Sequence, residues 1–173
     1  MLVVIGGLPA TGKSTIATAL ARRTATPYVR VDRIEQAIVA WSPLSHPLGP
    51  VGYAVAYELA LEQLQLGLDV IAECVNPVAV TREGWVGTAA RARSALIEVI
   101  CSDEAEHRYR VETRTSDVDG LSKPTWSAVV RREYEPWTRE YLVIDSTKTS
   151  PEEAANRIAT QMASARAGSG RHR

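Results

Sequence analysis

Gly7-Leu8-Pro9-Ala10-Thr11-Gly12-Lys13-Ser14 satisfies the spacing G-x-x-x-x-G-K-[ST] at every fixed position. Glycines at those places let the backbone curl until successive N–H groups point inward, a geometry that suits phosphate oxygens. A helix starting at about Lys13 adds its positive end to the same spot. Lys13 is then expected to reach the β- and γ-phosphates of a nucleotide, Ser14 to ligate Mg²⁺, and Thr15 to contact the α-phosphate. With Gly near 7% of residues on average, a chance match is expected in well under about one chain in a hundred. The set Gly7, Ala10, Thr11, Gly12, Lys13, Ser14 and Thr15 therefore reads as a nucleotide-binding loop.

Such loops serve motors, switches and kinases, and the remaining polar residues discriminate among these. No long apolar strand ends in Asp-Glu and no second helical domain fits in 173 residues, which weighs against a motor. No N-K-x-D string exists to read guanine, and the D-x-x-G of Asp117-Val118-Asp119-Gly120 lies in a polar loop far from the first strand, where a turn is the expected meaning. A kinase needs a base for the acceptor hydroxyl, a carboxylate beside the metal and cations over the transferring phosphoryl group. Asp32 closes the expected second strand, in line with the γ-phosphate; it reads as the base or as a helix N-cap, and the two can coexist. Glu73 ends the apolar run before Cys74 and reads as a Mg²⁺-side carboxylate or as a structural partner for an arginine.

The run EHRYRVETR places Arg108, Arg110 and Arg114 within seven residues, followed after a loop by Arg131 and Arg132. A charged run of this kind usually marks a solvated helix face, but here it falls where a lid would hang over the phosphates. Arg110 and Arg114 are four apart and share a face; Arg114 is the first candidate for the γ-phosphoryl group, with Arg110 beside it and Arg108 assigned to the nucleotide. An acceptor pocket between the second-strand exit and the next two helices would draw on Trp41, His46, Tyr53 and Tyr57. Tyr53 and Tyr57 share a helical face that reads either as a stacking wall or as core packing. His46 has no companion at metal spacing, so zinc is not expected. Trp85 reads as packing, and Trp126 and Trp137 bracket the lid.

These residues need a frame that brings them together. Leu2–Ile5 is short, apolar and β-branched, as a buried parallel strand should be. Further strands are expected at Tyr28–Val31, Asp69–Cys74, Ala95–Cys101 and Leu142–Asp145. Helices are expected over 14–23, 33–41, 53–66, 79–93, 103–114, 125–133 and 151–165, with Asn76-Pro77 turning the chain and the prolines and glycines of 42–52 forming a loop. Alternating strands and helices predict an α/β fold with a mostly parallel sheet covered on both faces, and ligands beyond the strands' carboxyl ends. One domain over 1–167 with a lid at about 103–133 is expected, then a flexible tail over 168–173.

The composition is that of a soluble globular protein, 45% hydrophobic and 23% charged. Twenty Lys and Arg balance twenty Asp and Glu, so no global field draws the chain to nucleic acid or membrane, although 17 of the basic residues are arginine, the better phosphate fork. Cys74 and Cys101 read as buried thiols of a reduced cytoplasm. No stretch has the length of a membrane span and no signal peptide is evident, so a cytoplasmic protein is expected.

With the loop, Asp32, VIAECVNP and the arginine run together, the chain resembles the small P-loop kinases related to the phage polynucleotide kinase domain, a group that includes chloramphenicol phosphotransferase, gluconate kinase and the zeta toxins. It is most similar to bacterial proteins labelled "AAA family ATPase" or predicted kinase. The resemblance spans Leu2 to about Ala165. It implies a P-loop NTPase of the nucleoside-monophosphate-kinase-like type, with a five-stranded parallel sheet, a helical lid, and ATP with Mg²⁺. It also implies that Asp32 is the base, that Arg33 helps hold the acceptor, and that adenine rests near Ser146 and Thr147. This group often has Asp where the chain has Glu73. The acceptor class does not transfer: a small-molecule hydroxyl comes first, with a 5′-hydroxyl polynucleotide or a slow nucleotide-dependent switch as alternatives. Oligomeric state is left open.

Overall fold

The computed structural model describes residues 1–90, 92–118 and 120–169. Leu2, Val3, Val4 and Ile5 are apolar on both sides of the chain, so the strand they form requires cover on both faces. It receives that cover as the central strand of a five-stranded sheet. Strand β1 (Leu2–Gly6) runs parallel to β3 (Val70–Glu73) on one side and β4 (Ser94–Ile100) on the other. Outside them lie β2 (Tyr28–Arg30) and β5 (Leu142–Asp145), giving the order β2-β3-β1-β4-β5 with every pairing parallel.

Seven helices occur among the described residues: α1 (Lys13–Thr24), α2 (Val31–Trp41), α3 (Val51–Gln65), α4 (Ala79–Thr88), α5 (Glu104–Thr113), α6 (Trp126–Val130) and α7 (Pro151–Ser169). The two-residue period of β1 divides the core. Val3 and Ile5 pack with Ile16, Leu20, Ile158 and Met162 under α1 and α7. Leu2 and Val4 pack with Ala56, Ala60 and Trp85 under α3 and α4. Each such buried Val, Leu or Ile contributes about 1.5–3 kcal/mol of apolar transfer. The buried positions of α3 are the small residues Gly52, Ala56 and Ala60, one helical turn apart, which lets this helix lie close to the sheet. No described helix is long and apolar enough to cross a membrane.

Two expected boundaries move in ways that matter. β2 stops at Arg30, one residue earlier than expected, and α2 begins at Val31, so Asp32 stands in the first turn of a helix rather than at a strand end. Arg30 occupies the N-cap position, which removes the cap reading of Asp32. The helix expected over 79–93 ends at Thr88, and Arg91 of its expected final turns lies outside the described residues. Asp119 of the D-x-x-G string and residues 170–173 of the expected tail also lie outside them.

The turn from β3 to α4 is held by a residue that carries no motif. Asn76 adopts φ +55°, and the chain after it is clasped by the buried Arg82. Its guanidinium donates to the carbonyls of Asn76 (3.1 Å), Pro77 (3.1 Å), Glu135 (2.7 Å) and Pro136 (2.9 Å) and stacks over Trp137 at 4.5 Å. Arg82 thereby ties the β3 exit to the segment that precedes β5. Arg82→Ala would strand these carbonyls, a loss of about 3 kcal/mol or more, and thermal denaturation should show Tm lowered by roughly 6–12 °C. An unchanged Tm would mean that the turn holds without its clasp.

Candidate active site

The register places the ends of all five strands along one edge: Ile5 pairs with Glu73, Arg30 with Glu73, and Ile100 with Asp145. A cavity of about 1190 Å³ opens there. Ala10, Gly12, Lys13, Ser14, Thr15 and Ser146 line one end. Asp32, Glu35, His46, Tyr53 and Arg132 line the other, and the connection between α5 and α6 roofs it through Arg114, Asp117 and Lys123.

The phosphate loop has the shape its glycines allow. Gly7 sits at φ +138°, where an added Cβ would collide with the Val99 carbonyl, and Gly12 sits at φ +93° as the N-cap of α1. Thr11 is buried inside the loop and its hydroxyl donates to the Leu8 carbonyl at 3.0 Å. Lys13 Nζ donates to the same carbonyl at 2.7 Å. Burial lowers the Lys13 ammonium below the ordinary lysine value; the negative charges of Glu73 and Asp32 oppose the shift, and Arg114 adds to it. Lys13 therefore lies within the electrostatic reach of both carboxylates and of the arginine singled out in the sequence.

Glu73 is 2% exposed and its carboxylate faces two ways. Oε1 accepts from Ser14 Oγ at 2.7 Å. Oε2 accepts from the Tyr28 hydroxyl and lies 3.2 Å from Arg30 Nε. The metal reading and the arginine-partner reading thus describe opposite sides of one group. Burial, followed by the charge of Glu73, raises the Tyr28 phenol, which stays protonated and donating. Ser14 and Glu73 supply adjacent oxygen donors on the cavity wall, the donor type that Mg²⁺ takes alongside water and phosphate. The loop's curled backbone and the α1 N-terminus fit a nucleotide's phosphates in the same way.

Asp32 faces the cavity from the first turn of α2, where the helix's positive end favours a carboxylate. Its carboxylate hydrogen-bonds to no described residue. Arg110 reaches across to the β5 exit: Nη1 donates to Ser146 Oγ at 2.9 Å and Nε to Glu106 at 2.7 Å. Arg114 caps α5 at its C-terminal end, and its buried Nε has no hydrogen-bond partner among the described residues.

Other expected residues stand apart from the cavity. Tyr57 packs edge-on against Trp85 at 4.6 Å and its hydroxyl donates to the Thr81 carbonyl, so core packing takes it. Tyr53 does face the cavity, while its hydroxyl accepts from Asn76 N–H at 2.9 Å. Arg33 donates to the Asp117 carbonyl at 2.8 Å rather than pointing inward. Arg108 is exposed and pairs with Glu112 at 2.9 Å, one turn along α5. Thr147 is spent on Asp145, which also accepts from Ser102. Trp41 is 90% exposed and outside the cavity.

Three contributors carry no sequence motif. The first is the pair Arg30 and Tyr28, which flanks Glu73 from β2. Glu35, one turn after Asp32, reaches the cavity because α3 has Gly52 opposite it, where any side chain would strike the glutamate. His107 is 7% exposed on α5; its Nε2 lies 2.8 Å from the Pro9 carbonyl, so it must carry the proton there, and its ring meets Trp126 edge-on at 5.3 Å.

A P-loop between β1 and α1, followed by these strands in this order, agrees with what is known of other proteins. The family profile described as "AAA domain" matches residues 2–136. The chain belongs to that family. No curated protein matches it. Among solved structures, it is similar to a presumed kinase from Chloroflexus aurantiacus, with TM-score 0.75 and 20% identity over 95% of this chain and 96% of that one. It is also similar to a gluconokinase from Sinorhizobium meliloti, with TM-score 0.64 and 16% identity over 92% and 94% of the two chains. The Mycobacterium tuberculosis APS kinase CysC, solved with AMPPNP and APS, superposes at TM-score 0.67 with 16% identity over 93% and 96%. At these identities the likeness establishes the fold alone, one that this chain shares with proteins described as kinases.

His107→Gln keeps a side chain of similar volume and takes away the ring N–H that bonds the phosphate loop. A loss of about 0.5–1.5 kcal/mol is expected, read as a roughly 2- to 12-fold rise in the Kd for a fluorescent ATP analogue. An unaltered Kd would show that the loop keeps its shape without this tie.

Proposed function

We propose that this AAA-domain protein is a Mg²⁺-dependent kinase that transfers the γ-phosphoryl group of ATP to a hydroxyl of a small molecule. The observation that carries the reading is Asp32: a carboxylate without a hydrogen-bond partner among the described residues, in the same cavity as Lys13 and close enough for its charge to act on it. A structural aspartate would be spent on a neighbour, whereas a base must have its oxygens available to an incoming hydroxyl.

In this reading the acceptor lies between Asp32, Glu35, His46 and Tyr53, and the nucleotide lies along the loop from Ala10 to Thr15. Asp32 takes the hydroxyl proton as that oxygen forms its bond to the γ-phosphorus. The bond from the γ-phosphorus to the β–γ bridging oxygen breaks, and ADP carries away the electron pair. Lys13 and Arg114 hold the charge on the transferring group, and Arg110 with Ser146 borders the nucleotide. Ser14 and Glu73 would hold Mg²⁺, which when bound would supply positive charge beside the phosphate oxygens. The likeness to the polynucleotide kinase and chloramphenicol phosphotransferase group belongs to the same proposal. A neutral chain with only three lysines favours a small acceptor over a nucleic acid.

Incubation with γ-labelled ATP and Mg²⁺ against nucleosides, sugars, aminoglycoside-type compounds and 5′-hydroxyl oligonucleotides should label a small molecule. Lys13→Ala should abolish that transfer, and wild-type turnover in the mutant would refute the loop's role. Asp32→Asn should leave the Kd for ATP in place while kcat falls by at least about tenfold and up to 10⁴-fold. An undiminished kcat would remove Asp32 from the chemistry.

A further inference from the structure

Arg30 has two carboxylates to serve. It is the last residue of β2, in register with Glu73 at the end of β3, and its side chain is 11% exposed. Nε lies 3.2 Å from Glu73 Oε2 but makes no well-directed hydrogen bond there. Nη1 and Nη2 instead grip the Asp117 carboxylate as a fork, the Nη2 bond measuring 3.0 Å. Asp117 belongs to the loop that roofs the cavity, and Arg33, one turn along α2, secures the same residue through its backbone carbonyl. The hydrogen bonds from Arg30 lead in holding the Asp117 carboxyl below the usual aspartate range, so it is ionised at neutral pH.

We propose that Asp117 is a positioning residue for Glu73, acting through Arg30, so that Mg²⁺ engagement at Ser14 and Glu73 is coupled to the seating of the roof loop. The inference rests on the nucleotide-and-metal part of the reading above. A mostly buried guanidinium needs acceptors for its N–H groups. While Asp117 takes the fork, Arg30 stays turned toward the roof and Glu73 keeps Oε1 for Ser14. Without Asp117 the nearest carboxylate is Glu73, and the fork turns onto it, drawing it from Ser14. Coupling of this kind is reciprocal: a metal held at Glu73 leaves Arg30 to Asp117 and fastens the roof.

The test uses the full chain and a mant-labelled ATP, titrated with and without Mg²⁺, with thermolysin cleavage before Leu121 of the roof loop as a second readout. In the wild type Mg²⁺ should tighten nucleotide binding and slow cleavage. In Asp117→Ala the metal-free affinity should persist, the tightening by Mg²⁺ should shrink by about tenfold, and cleavage should no longer respond to the metal. Asp117→Glu, which restores a carboxylate for Arg30, should recover part of the tightening. Equal tightening in wild type and Asp117→Ala overturns the proposal. So does a loss of affinity of the same size with and without Mg²⁺, which would mark a general anchor, and so does a wild type that ignores Mg²⁺. A wild type that shows the coupling yet labels no hydroxyl acceptor would refute the kinase reading alone.

Discussion

A carboxylate as buried as that of Glu73 has to be compensated on both of its oxygens. The site's arrangement derives from how that is done. On one oxygen the compensation comes from Ser14 of the phosphate loop, and on the other from Tyr28 and Arg30 of the neighbouring strand. The sheet order makes this possible, because β3 lies between β1 and β2 and its last residue meets side chains borne on both sides. The group that borders the proposed metal position is therefore also the group by which the second strand and the loop are held in mutual register.

The surrounding charges extend the same logic. Lys13 is buried and lowered by that burial, yet it is flanked by Glu73 and Asp32, which act to keep it charged. Arg114 stands close enough to act against it, and its Nε remains without a partner among the described residues. Cations and carboxylates thus share one cavity, Lys13 and Arg114 with Asp32 and Glu73 among them. In a confined space of this kind such charges act more strongly than at an open surface.

How much the sequence discloses here depends on distance along the chain. The loop motif is local, since eight consecutive residues carry both its geometry and its chemistry, and the apolar β-branched runs disclose the parallel sheet in the same way. Asp32 and Glu73 stand out because each is expected at the end of a strand, although the boundary at Asp32 shifts when α2 starts at Val31. The roles of Arg82, His107 and Arg30 are not legible there, because their partners lie far away in sequence: His107 meets Pro9, Arg82 meets Pro136, and Arg30 meets Asp117. Tyr53 and Tyr57 share a face in the sequence, and only the packing of α3 on α4 separates them, one toward the cavity and one toward Trp85. Arg108 and Arg110 show the converse, since neighbours in one charged run take opposite surroundings on a helix.

The bond between His107 and Pro9 has a mechanical side. His107 belongs to the first turn of α5, whereas Arg110 and Arg114 come in later turns. Arg110 ties a later turn to Ser146 at the β5 exit, so α5 is fastened at two places along its length. Arg114, about 10 Å beyond His107 along the axis at 1.5 Å per residue, stands past both fastenings. The position of that arginine is thus set jointly by the phosphate loop and by the end of the edge strand β5.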